Sequence, residues 1–236
     1  MRITKIHGIL WYAIINLDIH KGKYLLKTGL ELTKDPSYFL YRLKQEQLHN
    51  ILLPIGGFSK AQIRDYARTK GLNVADKPDS QDFYEGDYND LLQIEDKIGN
   101  IVDKDGKILG QHNGFWNYTV GQRKGIGVSS SKPLYVLELK KDTNEVVVGF
   151  KNSTMKNKLV ANNLNRIEID EISKEFECEA KIRSSQFPQK VFVKLISKDK
   201  IEVEFENMQN TIALGQSVVL CKNDVVLGGG IIDGVN

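Results

Sequence analysis

The sequence predicts an α+β protein in which a mainly helical N-terminal part precedes a small β-rich middle and a C-terminal antiparallel β-barrel or sandwich. Helix caps and helical spacing occur before about residue 80. Beyond it, turn-separated apolar runs predict strands, which recur about every 8–12 residues from residue 159 onward. A breaker at Lys77–Ser80 indicates the first boundary. We expect domains at 1–83, 84–152 and 153–236, with a barrel as the last.

Two helix starts are predicted in the N-terminal part. Asp35 and Pro36 have the character of an N-cap followed by proline at the first helical position. Ser59–Gln62 has the spacing of a capping box, in which the first and fourth residues satisfy each other's backbone amides. Gly71 then stands where a helix ends on a left-handed residue. The residues predicted to face inward from the second helix are Ile63, Tyr66 and Ala67.

The middle part predicts two hairpins. A turn at Asp103–Gly106 lies between two short apolar runs, and a polar turn at Lys141–Asn144 lies between two longer ones. The C-terminal part predicts strands at 177–182, 191–196, 201–205, 217–221 and 225–232. Short strands at this spacing are typical of a small antiparallel barrel or sandwich.

Length and composition exclude several classes of protein. The 236 residues are 41% hydrophobic and 27% charged, which is ordinary globular usage and excludes disordered and collagen-like chains. The longest apolar run, from Ile9 to Leu17, is too short to span a bilayer, and no signal peptide is indicated. We therefore expect a soluble cytoplasmic protein with no membrane partner.

The residue types that most often carry chemistry predict no catalytic centre. The two cysteines, Cys178 and Cys221, exclude a disulfide framework and a CxxC zinc site, and their strand-like surroundings predict burial. The four histidines lack metal-binding spacing, so no metal is expected. Gly121–Gly127 is glycine-rich but lacks the Gly-Lys-Ser/Thr of a phosphate loop. Either its amides and Arg123 meet a phosphate, or it is merely a turn.

The formal net charge of +3 conceals two basic windows that contain no acidic residue. The cations of residues 114–133 are Arg123, Lys124 and Lys132, and those of residues 181–194 are Lys181, Arg183, Lys190 and Lys194. Both windows also contain aromatic residues. Cations beside aromatic faces are typical of a surface that contacts RNA. The alternative is a solvated face above a few aromatic residues of the core.

Several strings occur in the order in which one protein family carries them. Lys34–Leu40 is similar to a KDQSYFL segment and Lys77–Asp82 to a KPESQD segment. The most specific string is the YTVGQRKGIG block of Tyr118–Gly127. Further strings are Gly99–Asp103, Gly110–His112, Lys181–Arg183, Gly215–Ser217 and Leu227–Gly230. Together they resemble the bacterial tRNA-specific 2-thiouridylases, once described as tRNA methyltransferases.

The resemblance implies a role in replacing the C2 oxygen of the wobble uridine of tRNA with sulfur, in an ATP-dependent transfer. In the family an N-terminal ATP-pyrophosphatase domain activates the uridine, while a central domain and a β-barrel hold the anticodon arm. The helical part would then be a remnant of the catalytic domain. Carried over residue by residue, the tRNA contacts fall on Lys34, Asp35, Pro36, Arg183, Ser184 and Gln216. Pro36 and Ser184 depart from the family pattern, and the first basic window adds Arg123 and Lys124.

The catalytic motifs of the family have no counterpart in these 236 residues. The SGGxDSS nucleotide loop and both catalytic cysteines are missing, and Tyr84 falls where the second cysteine is expected. We therefore expect a truncated or degenerate tRNA-binding portion, inactive alone and without bound ATP, and its status as an enzyme stays open. One alternative is a split enzyme, in which a partner chain supplies the ATP loop and cysteines, with a sulfur-relay protein as a further partner. The other is a β-barrel interaction module with no RNA role.

Overall fold

The computed structural model describes residues 16–20, 22–29, 36–51, 53–73, 75–76, 94–150, 155–168 and 174–235. The chain divides into two compact units. We call residues 1–77, 159–206 and 215–234 the barrel unit, and residues 78–158, 207–214 and 235–236 the small unit. Lys77–Ser80, where the sequence predicts a boundary, lies outside the described residues. The three predicted domains stay a prediction.

The C-terminal strands form a closed six-stranded antiparallel barrel. Its strands are β7 (Met155–Arg166), β8 (Glu175–Lys181), β9 (Gln189–Ser197), β10 (Lys200–Asn210), β11 (Ser217–Lys222) and β12 (Val225–Val235). They follow one another in the order β12-β11-β8-β9-β10-β7, and a pairing between β12 and β7 closes the sheet. Alternate residues of β9 and β10 are buried, as a barrel interior requires. The predicted β-barrel is therefore confirmed, and the sandwich alternative is not.

The described part of residues 1–77 forms two strands and three α-helices. They are β1 (Asn16–His20), β2 (Lys23–Lys27), α1 (Ser37–Leu40), α2 (Gln45–His49) and α3 (Lys60–Thr69). β1 and β2 form a hairpin that the sequence analysis does not predict, with Gly22 at a φ of +80° in its turn, and β2 pairs with β12. The described protein is mostly β, so neither the α+β class nor the helical remnant is confirmed. Among the described helices, none has the length and apolarity to cross a membrane.

The helix caps match the sequence in most details. α1 begins at Ser37 with Pro36 at its N-cap, one residue later than predicted. Before α3, the capping box of Ser59 and Gln62 is present, and Gly71 follows the helix at a φ of +66°. The prediction that Tyr66 faces inward is wrong, because its side chain is 66% exposed and no residue of α3 is buried.

The short helices α1 and α2 pack onto the outside of the barrel sheet. The shared core cluster consists of Leu26, Tyr38, Tyr41, Leu48, Ile167, Val219 and Val226. The Tyr41 ring lies so close to β12 that a Cβ atom added at Gly229 would be 2.8 Å from its Cδ2 atom. Glycine at position 229 therefore lets the ring pack directly against the barrel wall. This contact holds the C-terminal end of α1 against β12, the neighbour of β11 in the sheet.

The small unit contains a four-stranded sheet of order β4-β3-β6-β5. Its strands are β3 (Gly99–Val102), β4 (Ile108–His112), β5 (Leu134–Lys140) and β6 (Glu145–Phe150). Both predicted hairpins are confirmed, and Gly106 and Asn144 adopt the positive φ that their turns require. Ile126 is buried with the strand residues, so the long loop between β4 and β5 folds back onto this sheet.

Candidate nucleic-acid interface

Tyr38 of α1 brings together three segments of the barrel unit. Its side chain is 8% exposed, and its hydroxyl contacts the carbonyl oxygens of Ile182 at 3.1 Å and Ser217 at 2.9 Å. Burial raises the pKa of Tyr38, so the hydroxyl keeps its proton and remains a donor. Because a hydroxyl has one proton, the two carbonyls share it. We call the residues around this contact, Pro36–Tyr38, Ile182–Ser184 and Gln216–Ser217, the α1 junction.

The junction contains several of the residues that resemblance assigns to tRNA binding. Pro36 caps α1 two residues before Tyr38, and its carbonyl accepts the amide of Phe39 at 2.9 Å. Arg183 and Ser184 directly follow Ile182 and are half-buried, and the half-buried Gln216 precedes Ser217. Lys34 and Asp35 lie outside the described residues. Segments far apart in the sequence thus meet at one place.

A tight turn holds Arg183 between β8 and β9. The amide of Ile182 donates to the Oε1 atom of Gln186 at 3.1 Å, and the amide of Gln186 donates to the carbonyl of Arg183 at 3.2 Å. The positive charge of Arg183 acts on the Tyr38 hydroxyl and partly offsets the rise in its pKa caused by burial. A guanidinium held in this way can meet a phosphate, because its fixed fork of donors suits phosphate oxygens.

A second cluster of predicted residues lies on the glycine-rich loop of the small unit. Gly121, Gly125 and Gly127 all have positive φ, and the amide of Gly121 donates to the carbonyl of Val136 at 2.7 Å. Arg123 and Lys124 are exposed on this loop. A concave surface of about 490 Å³ is lined by Arg123, residues 125–131, Lys132, Pro133 and Leu134. Two cations and three consecutive serines around one concavity can bind an anion such as a phosphate group.

The aromatic residues of this first basic window have a structural role. Phe115 and Tyr118 pack against the core of the small unit, and Trp116 is half-buried. Stacking on nucleobases needs an exposed ring face, and packing covers part of each of these half-buried rings. For Phe115 and Tyr118 this packing agrees with the alternative of core aromatics, whereas the cations of the window are solvent-accessible.

The second basic window does not form a basic face. Lys181 is 1% exposed, and Lys190 and Lys194 point outward from β9. Lys190 stands directly opposite Glu179, while Lys194 stands between Glu175 and Glu202. The Nζ atom of Lys194 lies 3.3 Å from the Oε1 atom of Glu175. The lysines are thus offset by glutamates that are distant in the sequence, and the basic character predicted for this window is lost outside Arg183.

The outward side of β8, β9 and β10 is instead acidic. On either side of Lys190, Phe192 and Lys194 run the rows Glu175, Glu177, Glu179 and Glu202, Glu204, Glu206. We call this surface the acidic face. Glutamate carboxylates and RNA phosphates are both negatively charged and repel each other, so the acidic face is unsuited to RNA. Glutamate recurs with a period of two along β8 and β10, and this spacing is the sequence signal of the acidic face.

Both cysteines are buried in the barrel, as predicted. Cys178 lies on β8 and Cys221 on β11. Burial is the main reason that the pKa of the Cys178 thiol rises to about 12, and Cys221 and Glu179 raise it further. Such a thiol is protonated at neutral pH, whereas the thiolate is the nucleophile in sulfur transfer. Among the described residues, no group of side chains is arranged to hold a metal ion.

Alkylation should therefore separate folded from unfolded protein. At about pH 7.5, iodoacetamide should leave Cys178 and Cys221 unmodified in the folded chain and modify both in urea, because both thiols are buried away from the reagent and burial also raises the pKa of Cys178. Mass spectrometry counts the modified residues. A Ser130→Cys variant, whose position is exposed, serves as the positive control. Rapid modification of Cys178 in the folded protein would contradict this account.

Three family models match successive parts of the chain. Residues 10–84 match the tRNA methyl transferase HUP domain, 91–150 the tRNA methyl transferase PRC-barrel domain, and 156–232 the aminomethyltransferase beta-barrel domain. These matches define a class of multidomain proteins in which a HUP domain, a PRC barrel and a β-barrel follow one another.

Curated relatives narrow this class. Proteins named tRNA-specific 2-thiouridylase MnmA from Endomicrobium trichonymphae, Carboxydothermus hydrogenoformans and Acetivibrio thermocellus are 44%, 43% and 42% identical. Each alignment covers 94% of this chain and 62%, 63% and 64% of the respective relative. The chain belongs to the family of tRNA-specific 2-thiouridylases.

Proposed function

We propose that this chain binds tRNA and is the RNA-holding part of a tRNA-thiolating enzyme. Membership in the 2-thiouridylase family supports the choice of RNA. The observation that carries the proposal is the α1 junction, where one tyrosine hydroxyl links the segments bearing Pro36, Arg183 and Gln216. Because the chain spans less than two thirds of its curated relatives, the activity of a whole enzyme is also a proposal.

The proposed contacts differ in chemistry and therefore in purpose. Arg183, Arg123 and Lys124 would bind phosphates, which fixes the position of the RNA without reading its sequence. Gln216 can donate and accept hydrogen bonds through its amide, so it can meet a base edge or a ribose hydroxyl. We keep Lys34, Asp35, Pro36 and Ser184 as proposed contacts from the resemblance. The matches at 10–84, 91–150 and 156–232 support three domains near the predicted boundaries.

Sulfur transfer by residues 1–236 alone is not part of this proposal. The two cysteines are buried, and burial keeps the Cys178 thiol protonated. The glycine-rich loop, Gly121–Gly127, lacks the Lys-Ser/Thr pair that would hold a triphosphate and its Mg²⁺, so it does not fit ATP. We propose that the ATP site and the reactive thiols lie on residues beyond these 236, either in the same polypeptide or in a partner chain. A sulfur-relay protein would then deliver sulfur to one of those thiols.

Gel-shift titration with total tRNA tests the proposal. Binding should weaken about tenfold or more between 50 and 200 mM salt, since neutralising phosphates releases counterions. A duplex DNA of similar length is the control for attraction to phosphate alone, and tRNA should bind more tightly at both salt concentrations. Absence of tRNA binding at the lower salt concentration would refute the proposed function.

A further inference from the structure

We infer that the Tyr38 hydroxyl holds two loops of the barrel in fixed positions relative to α1. These loops carry the proposed RNA-contacting residues Arg183 and Gln216. The inference deepens the proposed function and rests on it. Tyr38 is a positioning residue in this account, because it acts through the backbone of the neighbouring loops and has no contact with RNA. Its hydroxyl links two loops whose positions would otherwise be independent of each other.

The location of the hydroxyl on the barrel supports this role. The ladder between β8 and β11 ends with Lys181 opposite Val219. Ile182 and Ser217, whose carbonyls the hydroxyl contacts at 3.1 and 2.9 Å, lie just beyond that last pair. The loop with Arg183 and the loop with Gln216 therefore diverge where backbone pairing stops. The Tyr38 hydroxyl takes the place of a further ladder hydrogen bond at this point.

Each loop is tied within itself or to another strand, so each can move as a unit. In the first loop, Gln186 joins the Ile182 amide to the Arg183 turn. In the second, the carbonyl of Gln216 accepts the amide of Ile232 at 2.8 Å. A shift of the Ile182 or Ser217 carbonyl would therefore carry the adjacent side chain with it. Tyr41 also holds the second loop, because its hydroxyl lies 3.0 Å from the Oγ atom of Ser217.

Replacing Tyr38 with phenylalanine isolates the hydroxyl from the ring. The ring would continue to fill the core cluster that contains Leu26, Tyr41 and Leu48, so the barrel unit should stay folded. The two carbonyls would lose a shared donor in a buried place. We expect tRNA affinity to fall about five- to tenfold, as the loss of one hydrogen bond at a buried site implies.

The matched control is Tyr24→Phe. Tyr24 packs against the same cluster, and its hydroxyl lies 2.7 Å from the Nδ1 atom of His49, away from the junction. This variant should bind tRNA as the wild type does. A urea titration of both variants checks the folded state. Tyr38→Phe should have the lower midpoint, because it leaves two carbonyls without their donor, and a fully folded baseline without urea excludes unfolding as the cause of weaker binding.

Two further measurements distinguish positioning from stability. In a variant that already carries Arg183→Ala and Gln216→Ala, Tyr38→Phe should cause no additional loss of affinity, because the groups it positions are gone. Hydrogen exchange should also become faster at residues 182–186 and 215–217 in Tyr38→Phe but not in Tyr24→Phe.

The outcomes separate this inference from the proposed function. Wild-type affinity of Tyr38→Phe, an equal loss in the doubly substituted background, or unchanged exchange in both loops would each overturn the positioning role. If the wild type does not bind tRNA, the proposed function fails, while the exchange measurement still tests whether Tyr38 couples the loops.

Discussion

Replacing Arg183 with glutamate should weaken tRNA binding by about two orders of magnitude, whereas Lys194→Glu should change it by less than about twofold. Both residues belong to the same basic window of the sequence. Arg183 is half-buried at the α1 junction, where a reversed charge would replace attraction to a phosphate with repulsion. Lys194 lies between Glu175 and Glu202 on the acidic face, which we expect RNA to avoid.

Gel-shift titrations of both variants at one salt concentration provide the comparison. The two substitutions change the net charge equally, so each is the control for the other. Arg183→Ala should also reduce the slope of log affinity against log salt by about one, as the loss of one phosphate contact does. Equal losses for Arg183→Glu and Lys194→Glu would contradict the assignment, because net charge alone would then explain them.

Replacing Gly99 with alanine should destabilise the small unit by about 3 kcal/mol, the upper part of the range for overpacked sites. A Cβ atom there would collide with the carbonyl oxygen of Asn144 and lie 2.6 Å from both the Nδ2 atom of Asn144 and the Cε1 atom of His112. The Asn144 amide donates to the carbonyls of Lys97 at 3.2 Å and Ile98 at 2.9 Å, tying the β5–β6 turn to the start of β3. Displacing it would break those bonds.

Tryptophan fluorescence can follow this unit separately. In a Trp11→Phe background, Trp116 is the remaining tryptophan and lies in the small unit. Urea titrations should give a clearly lower midpoint for Gly99→Ala. Gly110→Ala on the adjacent β4 is the matched control, because its Cβ would lie 3.2 Å from a Val128 methyl group that can yield. Equal midpoints for the two variants would argue against the collision at residue 99.

Local turn chemistry explains which parts of the fold follow from the sequence. The hairpins of the small unit are predictable because Gly106 and Asn144 each supply the positive φ of their turn within a few residues of both strands. The β1–β2 hairpin has the same signal at Gly22, yet its strands mix polar and apolar residues, so no clear strand pattern announces it. Closure of the barrel depends on the β12–β7 pairing, which no local pattern contains.

The sequence predicts less of the candidate site than of the fold. Arg183 and Gln216 can be proposed from the strings that match the family. That their loops lie close together depends on Tyr38, whose contacts Ile182 and Ser217 are separated from it by 144 and 179 positions in the sequence. The glutamates that offset Lys194 are likewise neighbours across the sheet. A window along the chain counts sequence neighbours only, so it overestimates the basic character of a strand whose partners are acidic.

Under the proposed function, the acidic face would affect the rate of RNA association as well as the place of binding. An approaching polyanion is repelled from the side of the barrel where two rows of glutamates flank β9, so encounters in that orientation are short-lived. Long-range repulsion from this face favours approach from other directions, so it would orient the RNA before contact. Productive association should then be faster than random docking permits, and added salt should slow it by screening this orienting field.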